Sequence, residues 1–247
     1  MKLKGKIALV CGATGGIGSE IVKALDKEGV DCILVARKLK KLKLLTQSLS
    51  GRNHKYYSAD FANSDDIIRV SRKIKNDYEK LDLVFNYSGI GIYKNIEDLT
   101  LKDWEDSLMV NTTSHLILVQ ELLPLLRKAE DPVVVAPGSG AGKIPTAGRA
   151  AYNVSKFALR GLSLSLSKEY VGQKPKFVLI TLGSVLTGFG QGIKKRKKLQ
   201  EKGKAYLDPV WVGSKIVRVI KNGKLEPEVS IYPSHYFDEM KKGKRQK

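Results

Sequence analysis

The sequence predicts an α/β fold, a single doubly wound parallel sheet with helices on both faces, on three observations. Short apolar runs of strand length alternate with helix-length segments along the whole chain. A glycine-rich turn joins the first of these runs to the first helix. No break in composition divides the 247 residues, so residues 1–247 read as one domain.

Lys6–Cys11 is a continuous apolar strand, and Ile17–Glu28 a helix stopped by Gly29. Asp31–Ala36 is the next strand, followed by a basic helix to about Leu49. Tyr56–Ala59 reads as a third strand, Ser64–Tyr78 as a helix and Leu81–Asn86 as a fourth strand. Thr100–Lys128 reads as one long helix, Pro132–Ala136 as a fifth strand and Ala150–Val171 as a second long helix. Lys176–Leu182 supplies the sixth strand. Asp208 and Pro209 are the cap and first residue of a helix ending at Gly223, and Val229–Tyr232 is a last short strand. Right-handed crossovers then give a Rossmann-type sheet. Residues 186–207 fall outside this rhythm and are expected to form a lid over a ligand, with 233–247 a basic tail.

The turn Gly12-Ala13-Thr14-Gly15-Gly16-Ile17-Gly18 follows the first strand and opens the first helix. Glycines there let the backbone approach a pyrophosphate held at the helix N-terminus. A site for NAD places an acid at the end of the second strand, to bond the ribose 2′-hydroxyl. Here that end reads Val35-Ala36-Arg37-Lys38, with a guanidinium suited to a 2′-phosphate. The expected cofactor is therefore NADP(H) in preference to NAD(H).

Tyr152 and Lys156 stand four residues apart on a predicted helix and share a face, with Ser139 thirteen residues upstream of the tyrosine. A free phenol titrates near pH ~10, and a neighbouring ammonium favours its ionised form. Lys156 is thus expected to pull the Tyr152 pKa down, while Ser139 and Tyr152 hold an oxygen between them. This arrangement moves a proton onto or off a carbonyl oxygen while another group delivers a hydride. A second pair, Tyr170 and Lys174, straddles Gly172 and runs into Pro175, where the helix should end.

Composition bounds the rest. Apolar content of 42% and charged content of 28% suit a globular protein, and no segment is long and apolar enough to span a membrane. The expected location is cytoplasmic. Two cysteines without Cys-x-x-Cys spacing and three scattered histidines point to core thiols and to no metal site. The net charge of +19 gathers at Arg37–Lys43, Lys194–Lys204 and Lys241–Lys247. Solvated helix faces and a frayed tail explain such runs; attraction of a phosphorylated cofactor, an acyl thioester or an anionic membrane surface is the sharper reading. Nucleic acid ranks last, because no aromatic-interleaved groove accompanies the charge.

From about Lys4 to Tyr232 these residues resemble the short-chain dehydrogenase/reductase family. Cys11-Gly12 stands where that family usually has Thr-Gly, and Asp60-Phe61 matches its adenine-contacting aspartate and the residue after it. Asn86-Tyr87-Ser88-Gly89 stands for Asn-Asn-Ala-Gly, and Leu182-Gly183 for Pro-Gly, with Thr187 at the usual threonine position. The resemblance implies a catalytic set of Asn111, Ser139, Tyr152 and Lys156. It also implies cofactor contacts from Gly12, Thr14, Gly15, Gly16, Ile17, Gly18, Arg37, Asp60, Phe61, Asn86, Gly89, Tyr152, Lys156, Gly183, Val185 and Thr187. Tyr87 is expected to narrow the cleft, and Leu182 to loosen one wall.

The expected activity is NADPH-dependent reduction of a carbonyl, of ketone or 3-oxoacyl type, to an alcohol, with Tyr152 as acid. The alternative is a non-catalytic NADP-binding regulator or scaffold of the same fold. The resemblance further implies a homodimer or homotetramer acting on a small-molecule carbonyl or alcohol, possible acyl thioesters included.

Overall fold

In a computed structural model describing residues 1–51 and 53–244, seven parallel strands form one sheet in the order β3-β2-β1-β4-β5-β6-β7. The strands are β1 (Ile7–Cys11), β2 (Asp31–Ala36), β3 (Lys55–Ser58), β4 (Leu83–Asn86), β5 (Val133–Ser139), β6 (Lys176–Leu182) and β7 (Glu228–Ile231). The order reverses between β1 and β4, whose carboxyl ends therefore open a crevice at the switch point.

Side chains alternate across the strands, and both faces are covered. On one face Ala8, Val10, Leu34, Phe85, Val135 and Ile180 pack under α1 (Gly18–Lys27) and α8 (Pro209–Asn222). On the other, Leu9, Ile33, Val35, Val84 and Val134 meet α3 (Ser64–Asp77) and α5 (Ser114–Lys128). The central strands are largely apolar because neither of their faces meets water, whereas the edge strands β3 and β7 carry polar, partly exposed residues. Helix ends follow their cap residues. The Asn63 side chain accepts from the amides of Asp65 and Asp66 to start α3, and Asp208 accepts from Trp211 to start α8. Gly223, at φ 75°, closes α8 in the left-handed region.

Several boundaries differ from those read in the sequence, most by one or two residues at an element's end. The expected helix Thr100–Lys128 is three pieces: α4 (Leu101–Leu108), a π-helical turn (Met109–Thr113) and α5. Its apolar spacing runs on through the wider turn and so hides it. β5 continues three residues beyond Ala136, because Pro137, Gly138 and Ser139 pair with Ile180, Thr181 and Leu182. The third strand starts and ends one residue earlier than predicted. Residues expected to be a frayed tail form α9 (Pro233–Lys244), which docks Tyr236 edge-on against Trp211 with ring centres 5.1 Å apart. Residues 245–247, the end of the last basic run, lie outside the described residues.

The remaining helices are α2 (Leu39–Gln47), α6 (Ala150–Glu169) and α7 (Ile193–Glu201). The control pair separates as expected. Tyr170 caps the end of α6 and stacks on Phe177, while Lys174 donates to the Ala129 carbonyl. Cys11 and Cys32 are free, buried thiols whose pKa values burial pushes upward. Among the described residues no helix is long and apolar enough to cross a membrane.

Candidate active site

A cleft of about 980 Å³ opens along the carboxyl ends of the strands, from Arg37, Lys38 and Lys41 at one end to Tyr93, Arg149 and Arg196 at the other. The glycine-rich turn forms its floor. Gly12 has φ 69°, and a Cβ there would lie 2.4 Å from the Tyr87 carbonyl oxygen, so only glycine fits between β1 and β4. A Cβ on Gly16 would fall 2.6 Å from Thr187 Cγ2, where the segment after β6 closes over the turn. The first turn of α1 has no side-chain cap, which leaves its amides facing the cleft for an anion. These are the features a dinucleotide pyrophosphate requires, and the residues present fit such a group.

Of the expected cofactor residues, Gly12, Thr14, Gly15, Gly16, Ile17, Gly18, Arg37, Asp60, Phe61, Gly89, Gly183, Val185 and Thr187 line this cleft. Asn86 does not. Its side chain is buried one layer behind, accepting from the Ser88 amide (3.3 Å) and facing Ser114 Oγ (3.4 Å), so it shapes the loop beneath the cleft. Tyr87 also departs from expectation. It lines the cleft but turns its hydroxyl into the core on the α1–α8 face, where that hydroxyl is buried.

Ser139, Tyr152 and Lys156 meet at the middle of the cleft. Ser139 arrives at the end of β5, and its hydroxyl accepts from the Ala141 amide (3.2 Å). Tyr152 and Lys156 come from the first two turns of α6 and are only 7% and 5% exposed. Asn111 sits in the π-helical turn behind them. Its side chain accepts from the Ile90 amide (2.9 Å) and donates to the Ile90 carbonyl (3.0 Å) and Ser155 Oγ (3.0 Å). It thereby ties the loop after β4 to α6.

The electrostatics reverse one expectation. Burial and nearby Tyr93 push the Tyr152 phenol up to about 12, against smaller downward pulls from Ser139, Arg196 and Arg149. Lys156 is not among the leading influences on it. The ammonium donates to the Pro137 carbonyl (3.0 Å), stands 5.9 Å from the phenol ring centre, and is itself brought down to about 8 by burial. Desolvation outweighs the attraction because both groups are taken out of water together. At neutral pH the pair is a neutral phenol beside an ammonium.

Four residues at the reacting end escaped the sequence reading. Tyr93 packs edge-on against Tyr152 (centres 5.5 Å) and Phe189 tilts against it (5.8 Å). The Arg149 guanidinium lies 4.5 Å over the Tyr93 ring. Arg196 donates to the carbonyls of Phe189 and Val185. In sequence Arg196 is one cation in a lysine run, and only its partial burial among exposed neighbours distinguishes it.

A switch-point cleft with a glycine floor and an acid–base cluster at its centre defines a nucleotide-dependent oxidoreductase of the α/β class. The chain belongs to the short-chain dehydrogenase family, whose family model matches residues 6–198. An uncharacterised oxidoreductase of Staphylococcus epidermidis is 31% identical over 201 residues, covering 81% of this chain and 87% of that protein. D-threitol dehydrogenase of Mycolicibacterium smegmatis is 27% identical over 191 residues, 76% of this chain and 74% of that one. Among solved structures, a short-chain dehydrogenase of Burkholderia cenocepacia in complex with NADP superimposes with a TM-score of 0.84. It is 24% identical and covers 94% of this chain and 97% of that one.

Proposed function

We propose that the protein is an NADPH-dependent carbonyl reductase in which Tyr152 is the acid. The observation that carries this reading is the meeting of Ser139, Tyr152 and Lys156 in the cleft that also holds the glycine-rich turn. A nicotinamide bound there supplies the hydride. Ser139 donates to the substrate oxygen and holds it against Tyr152, which gives up its proton as charge develops on that oxygen. A phenol kept protonated to about pH 12 enters this step as an acid, which suits reduction. Lys156, fixed on the Pro137 carbonyl, stabilises the phenolate that remains and bonds the nicotinamide ribose. The π-helical turn opens the backbone at Asn111, whose carbonyl holds a water against Lys156 for reprotonation. Arg37, with Lys38 and Lys41 beside it, takes the 2′-phosphate and favours NADPH. The Burkholderia short-chain dehydrogenase of the same fold was crystallised with NADP, which supports a nicotinamide cofactor here. Residues 186–207, entered and closed at the Val185–Leu207 pairing and carrying α7, form the lid.

Tyr152→Phe keeps the ring and its packing but removes the proton. NADPH consumption with a panel of ketones, aldehydes and 3-oxoacyl thioesters should fall by ~10²–10⁴-fold, with NADPH affinity unchanged. Retained turnover in that variant defeats the mechanism.

A further inference from the structure

We propose that the substrate carries an anionic group, a carboxylate or a phosphate, held by Arg149 and Arg196 while its carbonyl lies against Tyr152. This rests on the carbonyl reductase reading above and names the substrate class of that same site. Both guanidinium groups line the reacting end of the cleft, opposite the Arg37 end. They are close enough to Tyr152 to act on its phenol, and Arg149 is separated from it by a single ring.

Neither cation has a carboxylate partner among the described residues. The only acids lining the cleft are Asp60, which accepts from the Ala62 amide beyond β3, and Asp106, which is taken by Lys102 at 2.9 Å. Two half-buried guanidinium groups facing one cleft without counter-charge repel each other, and a bound anion removes that cost. Their donors are also available. Arg149 sits over the Tyr93 ring and makes no side-chain hydrogen bond among the described residues, which leaves its donors free. Arg196 has five N–H donors and spends three on the carbonyls of Phe189 and Val185, so one remains on each terminal nitrogen. The same three bonds fix its orientation, which lowers the entropy lost on gripping an anion. The rings of Tyr93 and Phe189, packed against Tyr152 on the same cleft wall, offer apolar surface to the part joining anion to carbonyl.

The test uses matched pairs with NADPH: 4-formylbenzoate against its methyl ester, and 4-formylphenyl phosphate against 4-methoxybenzaldehyde. At least one anion should exceed its neutral partner by about 10-fold or more in kcat/KM, and which anion does so separates carboxylate from phosphate. Arg149→Gln should erase the preference by raising KM for the anions about 10-fold or more, change the neutral partners several-fold less, and be partly rescued by Arg149→Lys. Calorimetry supplies a readout independent of turnover: benzoate or phenyl phosphate should bind the enzyme–NADP⁺ complex, and not that of Arg149→Gln. Neutral and anionic aldehydes reduced equally well would overturn the substrate class and leave the reductase reading intact. Binding of the anions without turnover of any carbonyl would uphold the anion site and sink the reductase reading. Neither binding nor preference would overturn the proposal.

Discussion

Lys156 shows how one residue can work against the fold that contains it. Its folded pKa of about 8 lies below the ordinary lysine value of 10.5, because burial penalises the ammonium. Below pH 8 both folded and unfolded chains hold the proton, and the full penalty applies. Between 8 and 10.5 the folded chain sheds it while the unfolded chain keeps it, so stability rises with pH across that window. Lys156→Met removes the charge and the bond to Pro137 together. At pH 7 it should raise the unfolding free energy by about 1–3 kcal/mol, the relieved penalty less the orphaned carbonyl. Turnover should collapse. Urea unfolding of both proteins at pH 7 and near pH 10 checks this: the gap should shrink at the higher pH, where other lysines and tyrosines titrate alike in the two chains. A variant less stable at pH 7, or a gap indifferent to pH, contradicts the electrostatic account. The tyrosine–lysine pair was legible from its spacing together with Ser139 and the glycine-rich turn, since Tyr170 and Lys174 share the spacing without them; the direction of its pKa shifts was not legible, because desolvation depends on what α6 packs against.

At the scale of elements, the glycine-rich turn and the segment after β6 are built against each other. Gly16 admits Thr187 so closely that an added methyl would press on its Cγ2 at 2.6 Å. Gly16→Ala should therefore push Thr187 aside, cost about 1–2 kcal/mol of stability and weaken NADPH binding. Thr187→Ser removes the opposing methyl and keeps the hydroxyl that accepts from the Phe189 amide. Alone it should be nearly silent; combined with Gly16→Ala it should recover about half of the loss, a coupling expected for residues in contact. Denaturant titration and NADPH affinity of the four proteins measure it, and simple additivity would show that the two segments do not press together. Fold elements of this kind were largely readable. Strands buried on both faces announce themselves as apolar runs, whereas the edge strand Lys55–Ser58, half exposed, slipped by a residue. The π-helical turn around Asn111 left the apolar spacing intact, and α9 was masked by the basic composition of its segment, while the bonds that dock it, from Trp211 Nε1 and Lys215 on α8 to Glu239, reach across the chain. Arg149, Arg196, Tyr93 and Phe189 converge only through loops, where spacing carries no geometry.

For the whole molecule, 44 basic against 25 acidic side chains make a field that a phosphorylated ligand meets before it meets any one residue. The Arg37 end of the cleft concentrates it, with Lys38 and Lys41 on the same wall. Two contributions can be separated by salt. Long-range attraction is screened once the Debye length falls below about 8–10 Å, whereas a paired guanidinium–phosphate contact is screened much less. KM for NADPH should therefore rise by roughly 3–10-fold between about 0.05 and 0.5 M salt, with kcat nearly constant. NADH lacks the 2′-phosphate and should respond more weakly. Arg37→Glu removes the fork and places a like charge against that phosphate, so it should lower the NADPH/NADH ratio of kcat/KM by ~10²-fold. It should also flatten the salt response of NADPH toward that of NADH. Steady-state kinetics with both cofactors at three salt concentrations, for wild type and variant, decides the matter. An unchanged cofactor ratio in Arg37→Glu would remove the 2′-phosphate from this wall. A KM for NADPH flat in salt would show that the +19 charge acts elsewhere than on the cofactor.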